Sequence, residues 1–549
     1  MSLILDSPRT ASASSPDGTV AAAQPTRLPH WLCWNPATPL VFATVGLIFL
    51  GLTRVPLWHS DIWDHLNYGQ QMLQTGRIPR SEPLLTLCEG VRMVNLPWLA
   101  ELMLTRVEQT CGIVGLQFLS AFLGSTGLLL ISLQATRAGR SWLAGVFAAV
   151  SCYFVNRHEL GVLRPQLFGL LLACGLLTWI LARPHRFRLA WVAVPLLFTL
   201  WANLHGSFVV GLMLLGLAVL GRAGDLLRAS RSPRLVFADP TLHRLLLLLQ
   251  LSAAAVLMNP FGMAAYAEVF SVAGHPNLSS MLEWNPLTLR IPAGQRFAAL
   301  SLVTILLLGL TPRRVRTTEL LILTVTALLT AWSARMLNWF TPAAALIAGM
   351  HLAAVVRSFL NTRHRRRVSE LAASESTPGV EPLDTTDVAR PPVWIWTAAS
   401  LGILWLCLML NPFARWLLRG TLPPEAQLVS ADTPVSAVEW LKTRTSHPPG
   451  LAFVPAEWSG YLMYRGPVAL KPLVNIHAHL IPEEVWNDYM RLTHGPADWN
   501  GLFDEYGVNI AVVSRRGQPA LIKRIRESTD WQAAFEDRQT VIFVRRQPV

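Results

Sequence analysis

Residues 38–65 read TPLVFATVGLIFLGLTRVPLWHSDIWDH, an apolar run, a short exit, and then His59, Asp61, Asp64 and His65 set around Trp63. Charge at a bilayer exit costs solvation free energy unless a site uses it, so this cluster is the first place to look for chemistry. Outward from it, apolar runs recur at 38–54, 111–134, 141–156, 165–182, 188–203, 206–222, 243–258, 297–311, 317–332, 336–356 and 392–411. Each approaches the roughly 20 residues that cross a hydrocarbon core, with tilt taking up the difference. The spacing predicts about eleven transmembrane helices. Around Asn203-Leu204-His205-Gly206 the runs are so close that one kinked helix or a re-entrant segment is an alternative. Composition agrees with the class: of 549 residues, 52% are hydrophobic and 14% charged, too apolar for an ordinary soluble chain.

The net charge of +13 is unevenly placed. Arginines collect in every second loop: 137 and 140; 183, 186 and 188; 222, 228, 231, 234 and 244; 313, 314 and 316; 357, 363 and 365–367. By the positive-inside rule these loops are cytoplasmic, which puts the N-terminus inside and the Asp61 loop and C-terminal region outside an inner (plasma) membrane. The Arg-His-Arg-Arg-Arg run at 363–367 then reads as a lipid-headgroup anchor, and no nucleic-acid partner is expected.

Residues 1–37, rich in Ala, Ser, Pro and Thr, read as a disordered cytoplasmic tail, and 38–411 as the transmembrane domain. Residues 357–391 form a basic cytoplasmic linker ending in a polar low-complexity stretch. Residues 412–549 read as an extracytoplasmic α/β domain: Gly450–Pro455, Pro467–Val474, Val508–Val513 and Val541–Arg545 suit strands. Pro434–Thr445, opened by Thr433 as N-cap, and Pro482–Leu492 suit helices. No phosphate loop or nucleophile elbow occurs there, so its expected role is a substrate-shaping or scaffolding cap. Cys88 and Cys111 share the outer side and are the one pair placed to bridge; the cysteines otherwise carry no metal spacing.

The first outer loop, 55–110, carries Ile62, Leu66 and Leu73, then Leu99, Met103 and Val107, at near-helical spacing, with Asp64, Glu101, Thr105 and Glu108 on other faces. Two interfacial helices are expected, roofing a cavity between the spans. The same topology brings other polar groups to the outer side: Arg157, His158, Glu159, Arg164 and Gln166; Asn203 and His205; Glu283; Arg335. Arginines at membrane depth need an anion, which is either a protein carboxylate or a lipid phosphate. For His65, His158 and His205, hydrogen bonding at a helix end and metal binding or catalysis are both open.

The stretches SDIWDHLNYGQQMLQTGRIPRSEP, VNLPWLAE, LRPQLF, WANLHGSF, NPFG, EWNPL and EWSGYLMYR, in that order, resemble bacterial membrane glycosyltransferases of the GT-C class, near the protein mannosyltransferase and RgtA/B/C/D-like group. The resemblance runs over nearly the whole chain. It implies an α-helical polytopic GT-C-like fold, a catalytic acid just after the first span, and a polyprenyl-phosphate sugar as donor. By it Asp61 is the expected catalytic residue. Two departures matter. Relatives commonly carry D-x-D before a double tryptophan, whereas His59 stands for the first acid and Asp64 for the second tryptophan; where relatives often read HEW, this chain has Leu96-Pro97-Trp98. Asp64 is therefore expected to take over the lost acidic role, unless the protein is weakly active or inactive.

The chemistry can be stated without the family. A lipid-phosphate donor brings its own leaving group, so a carboxylate must take the acceptor hydroxyl's proton and cations must hold the departing phosphate. Asp61, with a carboxyl raised by its bilayer-edge setting, would be the base and Asp64 its companion. The substrate-binding set would be Trp63, stacking on a sugar, with His65, Arg157, Arg164, Gln166, Asn203, His205, Glu283 and Arg335. Transfer would invert the anomeric centre and pass to a glycan, lipid or protein acceptor. No dissociable organic cofactor is expected, and participation of a divalent metal ion is left open. A non-catalytic scaffold of the same fold and a polar-lipid transporter or flippase are the alternatives.

Overall fold

A computed structural model describes residues 36–58, 60–182, 188–374 and 394–548 of the chain. The tail before residue 36, His59, Arg183, Arg186 and the linker from 375 to 393 lie outside the described residues. Helix α1 (Thr38–Leu52) leads to α2 (Ile62–Thr75), and α3 (Trp98–Gly139) to α4 (Trp142–Gly161), α5 (Gln166–Leu181), α6 (Ala190–Leu204) and α7 (Phe208–Ser230). Next come α8 (Pro233–Phe237), α9 (Pro240–Val256), α10 (Ala264–Ala273), α11 (Pro292–Leu310), α12 (Thr317–Trp332), α13 (Leu337–Ser374) and α14 (Trp394–Met409). Every apolar run predicted from the sequence carries a helix. Among the described residues four segments are long and apolar enough to cross a membrane: α3, α7, α11 and Ala334–Arg367, which contains most of α13. Helices α14 and α15 (Pro412–Arg419) form a pair bent by 65°, and α1, α5, α6, α9, α10 and α12 are shorter apolar helices.

The middle helix is α13. Ala343 to Ala348 are buried on every side of it, as expected of a helix that is apolar all round. Its small side chains let α3 and α4 approach closely, the usual source of helix packing where lipid offers no hydrophobic contrast. Between α6 and α7 the chain breaks at His205, whose backbone is extended, and Gly211 lies against Phe198 and Trp201. The close pair of runs is thus a fold-back of two helices and not one kinked helix.

Of the two helices expected at the interface, α2 is separate and ends on Gly76 in the left-handed conformation, as a C-terminal glycine permits. The second is the first part of α3. It is joined to the following span without a loop, and the break between them falls at Gly112, with φ 61° and ψ −163°. That conformation is open only to glycine at low cost.

The bundle has two unlike ends. At one, the basic loops bond to one another: Arg357 donates to the Gly139 carbonyl, Arg316 to the Leu181 carbonyl at 3.4 Å, and Arg228 to Thr317 at 3.3 Å. The opposite end holds the Asp61 loop and the C-terminal domain.

That domain begins with α16 (Glu425–Leu428) and α17 (Val435–Thr443), then β1 (Leu451–Phe453), α18 (Ala456–Arg465), β2 (Lys471–Pro472), α19 (Glu483–Thr493), α20 (Trp499–Glu505), β3 (Val508–Ser514), α21 (Pro519–Glu527), β4 (Trp531–Glu536) and β5 (Thr540–Arg545). The sheet order is β2-β1-β3-β5-β4, parallel among β1, β2 and β3 and antiparallel beyond. Strand β4 escaped the sequence reading because its outward residues break the apolar run: only Trp531 is buried. The N-cap of α17 is Pro434, without a side-chain bond, and Thr433 instead meets the Ser430 hydroxyl at 3.2 Å. Cys88 and Cys111 are both free thiols.

The domain is seated on the transmembrane part, not tethered beside it. Leu57, at the exit of α1, exchanges backbone hydrogen bonds with Leu428 and Ser430 at 2.8 Å each. Helix α18 packs on α2, where Gly460 is pressed against Asp64: a Cβ there would lie 2.8 Å from the Asp64 amide nitrogen. Gly460→Ala is therefore expected to destabilise the protein by about 1–3 kcal/mol, the range for overpacking, visible as a lowered Tm in detergent. Gly501→Ala, on the open face of α20, serves as the neutral control. The two-ended arrangement also predicts that cysteines at the exposed positions Thr75 and Ser369 are labelled by an impermeant reagent from opposite sides of the membrane. Labelling from one side would overturn the sequence-derived orientation.

Candidate functional site

Asp61 occupies the N-cap position of α2, where an aspartate ordinarily accepts a hydrogen bond from the helix's own free N–H groups. Here its backbone is already helical, φ −41° and ψ −28°, and the side chain makes no capping bond. The carboxylate is thereby free to turn outward, and its Oδ2 lies 3.1 Å from Nε of Arg164. Arg164 is held at the start of α5 by the Arg-Pro-Gln turn, whose carbonyl at 164 accepts from the Leu167 amide.

Arg164 serves a second carboxylate. Its Nη1 donates to Glu283 Oε2 at 2.8 Å, and Arg335 Nη1 donates to Glu283 Oε1 at 2.9 Å. Glu283 sits in a one-turn helix at Leu282–Trp284 and Arg335 in another at Ala334–Met336, and the Ala334 amide bonds the Asn285 carbonyl to hold the two together. Trp284 lies under the Arg335 guanidinium, 4.8 Å from ring centre to Cζ. The four side chains are 17–32% exposed, so this chain of alternating charge is sheltered yet open to a ligand.

The electrostatics correct one expectation. Burial by itself would raise the Asp61 carboxyl, but Arg164, with lesser help from His65, His477 and Arg335, outweighs it and holds the group at about 2. Asp61 is an ionised, ion-paired carboxylate and not a raised one. Glu283 behaves likewise: burial pushes it up, and Arg335 and then Arg164 bring it below the usual range.

Beneath Asp61 is a buried layer. His65 Nδ1 is 2.9 Å from Glu101 Oε1, while Asn95 donates to Glu101 Oε2 at 2.6 Å. Tyr68 donates to Glu82 at 2.6 Å, and Glu82 in turn accepts from the Leu84 amide at 2.7 Å. Asp64 is 1% exposed under α18; burial, then the neighbouring charges of Asp61 and Glu82, push its carboxyl well above the ordinary range. Asp64 thus lies inside the joint between α2 and the C-terminal domain and not on the open face with Asp61. Trp63 is fully buried, its ring 4.8 Å from Tyr461 and 5.8 Å from Tyr464. The face it was expected to offer to a sugar is covered by α18.

The remaining predicted residues divide. His205 Nδ1 is paired with the Ser207 hydroxyl at 2.8 Å, and burial, then Arg335 and His65, push its imidazole down to about 3, so it stays neutral. Asn203 accepts from the Trp98 indole at 2.8 Å, tying the α6 end to the start of α3. Gln166 is buried with its Oε1 unpaired. Arg157 is exposed and stands apart from the network; Glu159 bonds Asn338 at 3.1 Å, and His158 meets Trp58 edge-on.

Sequence reading missed the contribution of the C-terminal domain. His477 lies 5.2 Å from the His65 ring and 5.3 Å from Tyr68, and His479 lies 5.8 Å from His477. Asn277 fastens this segment to the loop after α10 by donating to the carbonyls of Ala478 at 2.8 Å and Ile481 at 2.9 Å. The two histidines in Ile-His-Ala-His-Leu were the available clue. A stronger one was Glu101, Thr105 and Glu108 at i, i+4 and i+7 on one helix, which marks a buried polar face: all three are at most 9% exposed.

Among the described residues no group of three or more His, Cys, Asp or Glu side chains is arranged to hold a metal ion. The acids near Asp61 are each committed elsewhere, Glu101 to His65 and Asn95, Glu82 to Tyr68, Glu283 to two arginines. The donor set around Asp61 does not fit a three-ligand metal site, so no step is routed through one.

No protein-family model and no curated protein matches the sequence. Solved structures do match. The oligosaccharyltransferase AglB of Archaeoglobus fulgidus, in complex with an inhibitory peptide and a dolichol-phosphate, aligns with a TM-score of 0.53 at 12% identity, over 88% of this chain and 69% of its own. The same enzyme tethered to an acceptor peptide containing the NVT sequon gives 0.52 at 12% identity, over 92% and 74%. ArnT from Cupriavidus metallidurans, bound to undecaprenyl phosphate, gives 0.50 at 14% identity, over 92% and 97%. The chain has the fold of the GT-C membrane glycosyltransferases, with multiple apolar helices and a small C-terminal sheet.

Removal of the shared guanidinium tests the network. The Asp61–Arg164 pair stabilises the fold at any pH above the ordinary carboxylate range of about 4, and that contribution is lost only as pH falls through about 2. In Arg164→Gln, burial of Asp61 is opposed only by the weaker pull of His65, His477 and Arg335, and its carboxyl rises. The variant is expected to lose roughly 2–4 kcal/mol at pH 7.5, with the Tm deficit narrowing at pH 5 as the stranded carboxylates take up protons. A deficit that does not change with pH would contradict the assignment.

Proposed function

We propose that this protein is a membrane glycosyltransferase that moves a sugar from a polyprenyl-phosphate donor to an acceptor on the outer side of the cytoplasmic membrane. The observation that carries this reading is the alternating chain Asp61–Arg164–Glu283–Arg335, half-open at one end of the helical bundle. Two guanidiniums fixed side by side on one glutamate leave several N–H donors each for a phosphate, and arginine suits that geometry better than lysine. The ionised Asp61 stands next to them to receive the acceptor hydroxyl. Two structural neighbours were solved with dolichol-phosphate and undecaprenyl phosphate, which supports a lipid-linked donor for this fold.

The acceptor oxygen, hydrogen-bonded to Asp61, attacks the anomeric carbon from the face opposite the phosphate. The bond to the phosphate oxygen breaks with inversion, and Arg164 and Arg335 meet the charge that develops on the leaving group. Glu283 sets the spacing of the two guanidiniums before donor arrives, so little reorganisation is needed. Asp64, enclosed beneath α18, holds the roof helix to the C-terminal domain. His205 lies at the neighbouring α6–α7 turn, neutral, as suits a contact to a sugar hydroxyl, while Asn203 braces that turn through Trp98 and the Thr199 carbonyl.

Asp61→Asn keeps the shape and removes the charge. Transfer is expected to fall roughly 100- to 1,000-fold, in line with loss of a positioned base. Mass spectrometry of envelope glycans and lipid-linked sugars should then show a hexose or pentose modification disappearing and its lipid-linked donor accumulating. An unchanged profile from a variant expressed at the wild-type level would reject Asp61 and favour a non-catalytic scaffold.

A further inference from the structure

Asp61 makes its ion pair through Oδ2, which leaves Oδ1 buried and without a hydrogen-bond partner. One turn further along α2, the His65 amide bonds the Asp61 carbonyl at 3.0 Å, so the two side chains rise from adjacent turns of one helix. His65 is fixed on its far side. Its Nδ1 faces Glu101, which is fully buried and has its second oxygen held by Asn95 at 2.6 Å. A carboxylate clamped in this way holds an imidazole in one tautomer and stabilises the imidazolium that forms when the other nitrogen takes a proton. Among the described residues no hydrogen bond engages His65 Nε2.

We infer that His65 is the residue on which the acceptor's proton comes to rest, with Asp61 passing it on and Glu101 as the positioning residue; this rests on the glycosyl-transfer reading. The acceptor O–H bond breaks toward the Asp61 carboxylate as the new C–O bond forms and the anomeric C–O bond to phosphate breaks, its electron pair leaving with the phosphate. The proton crosses to His65 Nε2 through a bridging water, giving an imidazolium paired with Glu101, and is released to bulk water or to the departing polyprenyl phosphate before the next turnover. Atoms and charge balance without another reactant. Arg164, 3.1 Å from Oδ2, keeps Asp61 ionised, so a proton taken there is passed on.

The charged and titratable groups around His65 are Asp61 and Asp64 on its own helix, Glu101 on α3, His477 on the C-terminal domain and His205 at the end of α6. Burial, then the neighbouring His65 and His479, push His477 well below the usual imidazole range, so it stays neutral beside His65. Among the described residues, Glu101 is the carboxylate within hydrogen-bonding distance of the ring.

The test uses the full chain in proteoliposomes with radiolabelled synthetic polyprenyl-phosphate hexose and pentose, an envelope extract as acceptor source, and release of polyprenyl phosphate as the readout. His65→Gln is expected to lower kcat about 100-fold with donor KM within about 3-fold of wild type. Glu101→Gln should lower kcat about 10-fold and move the acid limb of the kcat profile to lower pH, because loss of the carboxylate's charge makes the imidazole easier to deprotonate. A His65→Gln enzyme within about 3-fold of wild-type kcat, or one altered in KM alone, overturns the inference. So does a Glu101→Gln profile that superimposes on wild type. Should His65→Gln fail to fold by Tm, His65→Asn and the Glu101→Gln profile decide. A wild-type chain that releases no polyprenyl phosphate while Asp61→Asn leaves the envelope glycans unchanged overturns the glycosyl-transfer reading itself, and this inference with it.

Discussion

Arg164 has to satisfy two carboxylates at once, and that requirement ties together parts of the chain far apart in sequence. Asp61 belongs to the start of α2, Arg164 to the start of α5, and Glu283 to the loop after α10. Each sits where its backbone leaves a helix or a short turn, so none can move without loosening another. In a medium of low dielectric an unpaired charge costs far more than at a protein surface, and the network is consequently a constraint on the fold as well as a source of chemistry. Arg335 extends it, since the guanidinium bonded to Glu283 stands just before the helix at the middle of the bundle.

A second constraint operates beneath the first. The C-terminal domain shares one apolar core with the transmembrane part, through Trp458, Tyr461 and Leu462 of α18 and Ile510, Val512, Ile542 and Val544 of the sheet. Tyr464 and Arg465 then reach Glu108 of α3 at 2.5 and 2.8 Å, and Arg465 also meets Glu425 at 3.2 Å. Helix α2 is held between these layers, with Trp63, Asp64 and Asn67 against α18 and Asp61 on the open side. The position of Asp61 is in this sense set by residues about 400 positions later in the chain.

What could be read from the sequence was whatever depends on local pattern. The apolar runs, the arginine clusters and the Asp61 exit are periodic or compositional features, and each apolar run has a helix where it was expected; the linker expected from residue 357 instead continues α13 as far as Ser374, so its arginine run is helical. Asp61, Arg164, Glu283 and Arg335 were picked out individually; their shared bonding was not, because a pairing across 119 residues leaves no trace in spacing. Trp63 was misjudged for a related reason. An aromatic beside an aspartate reads as a ligand platform until α18 is seen to cover it. The direction of the Asp61 shift depended on which of burial and Arg164 was stronger, and that requires a distance.

Helix α13 has 38 residues, about 57 Å at 1.5 Å each, against a hydrocarbon core of about 30 Å. Arg335 stands at the turn just before its first residue, and the arginine run at 363–367 lies near its other end. A bilayer of different thickness is accommodated by tilt of such a helix, pivoting on the end its basic run anchors. Arg164 hangs from a different helix, and Glu283 bonds both guanidiniums. Glu283 is therefore the strut that keeps the two cations in register while so long a helix settles into its bilayer.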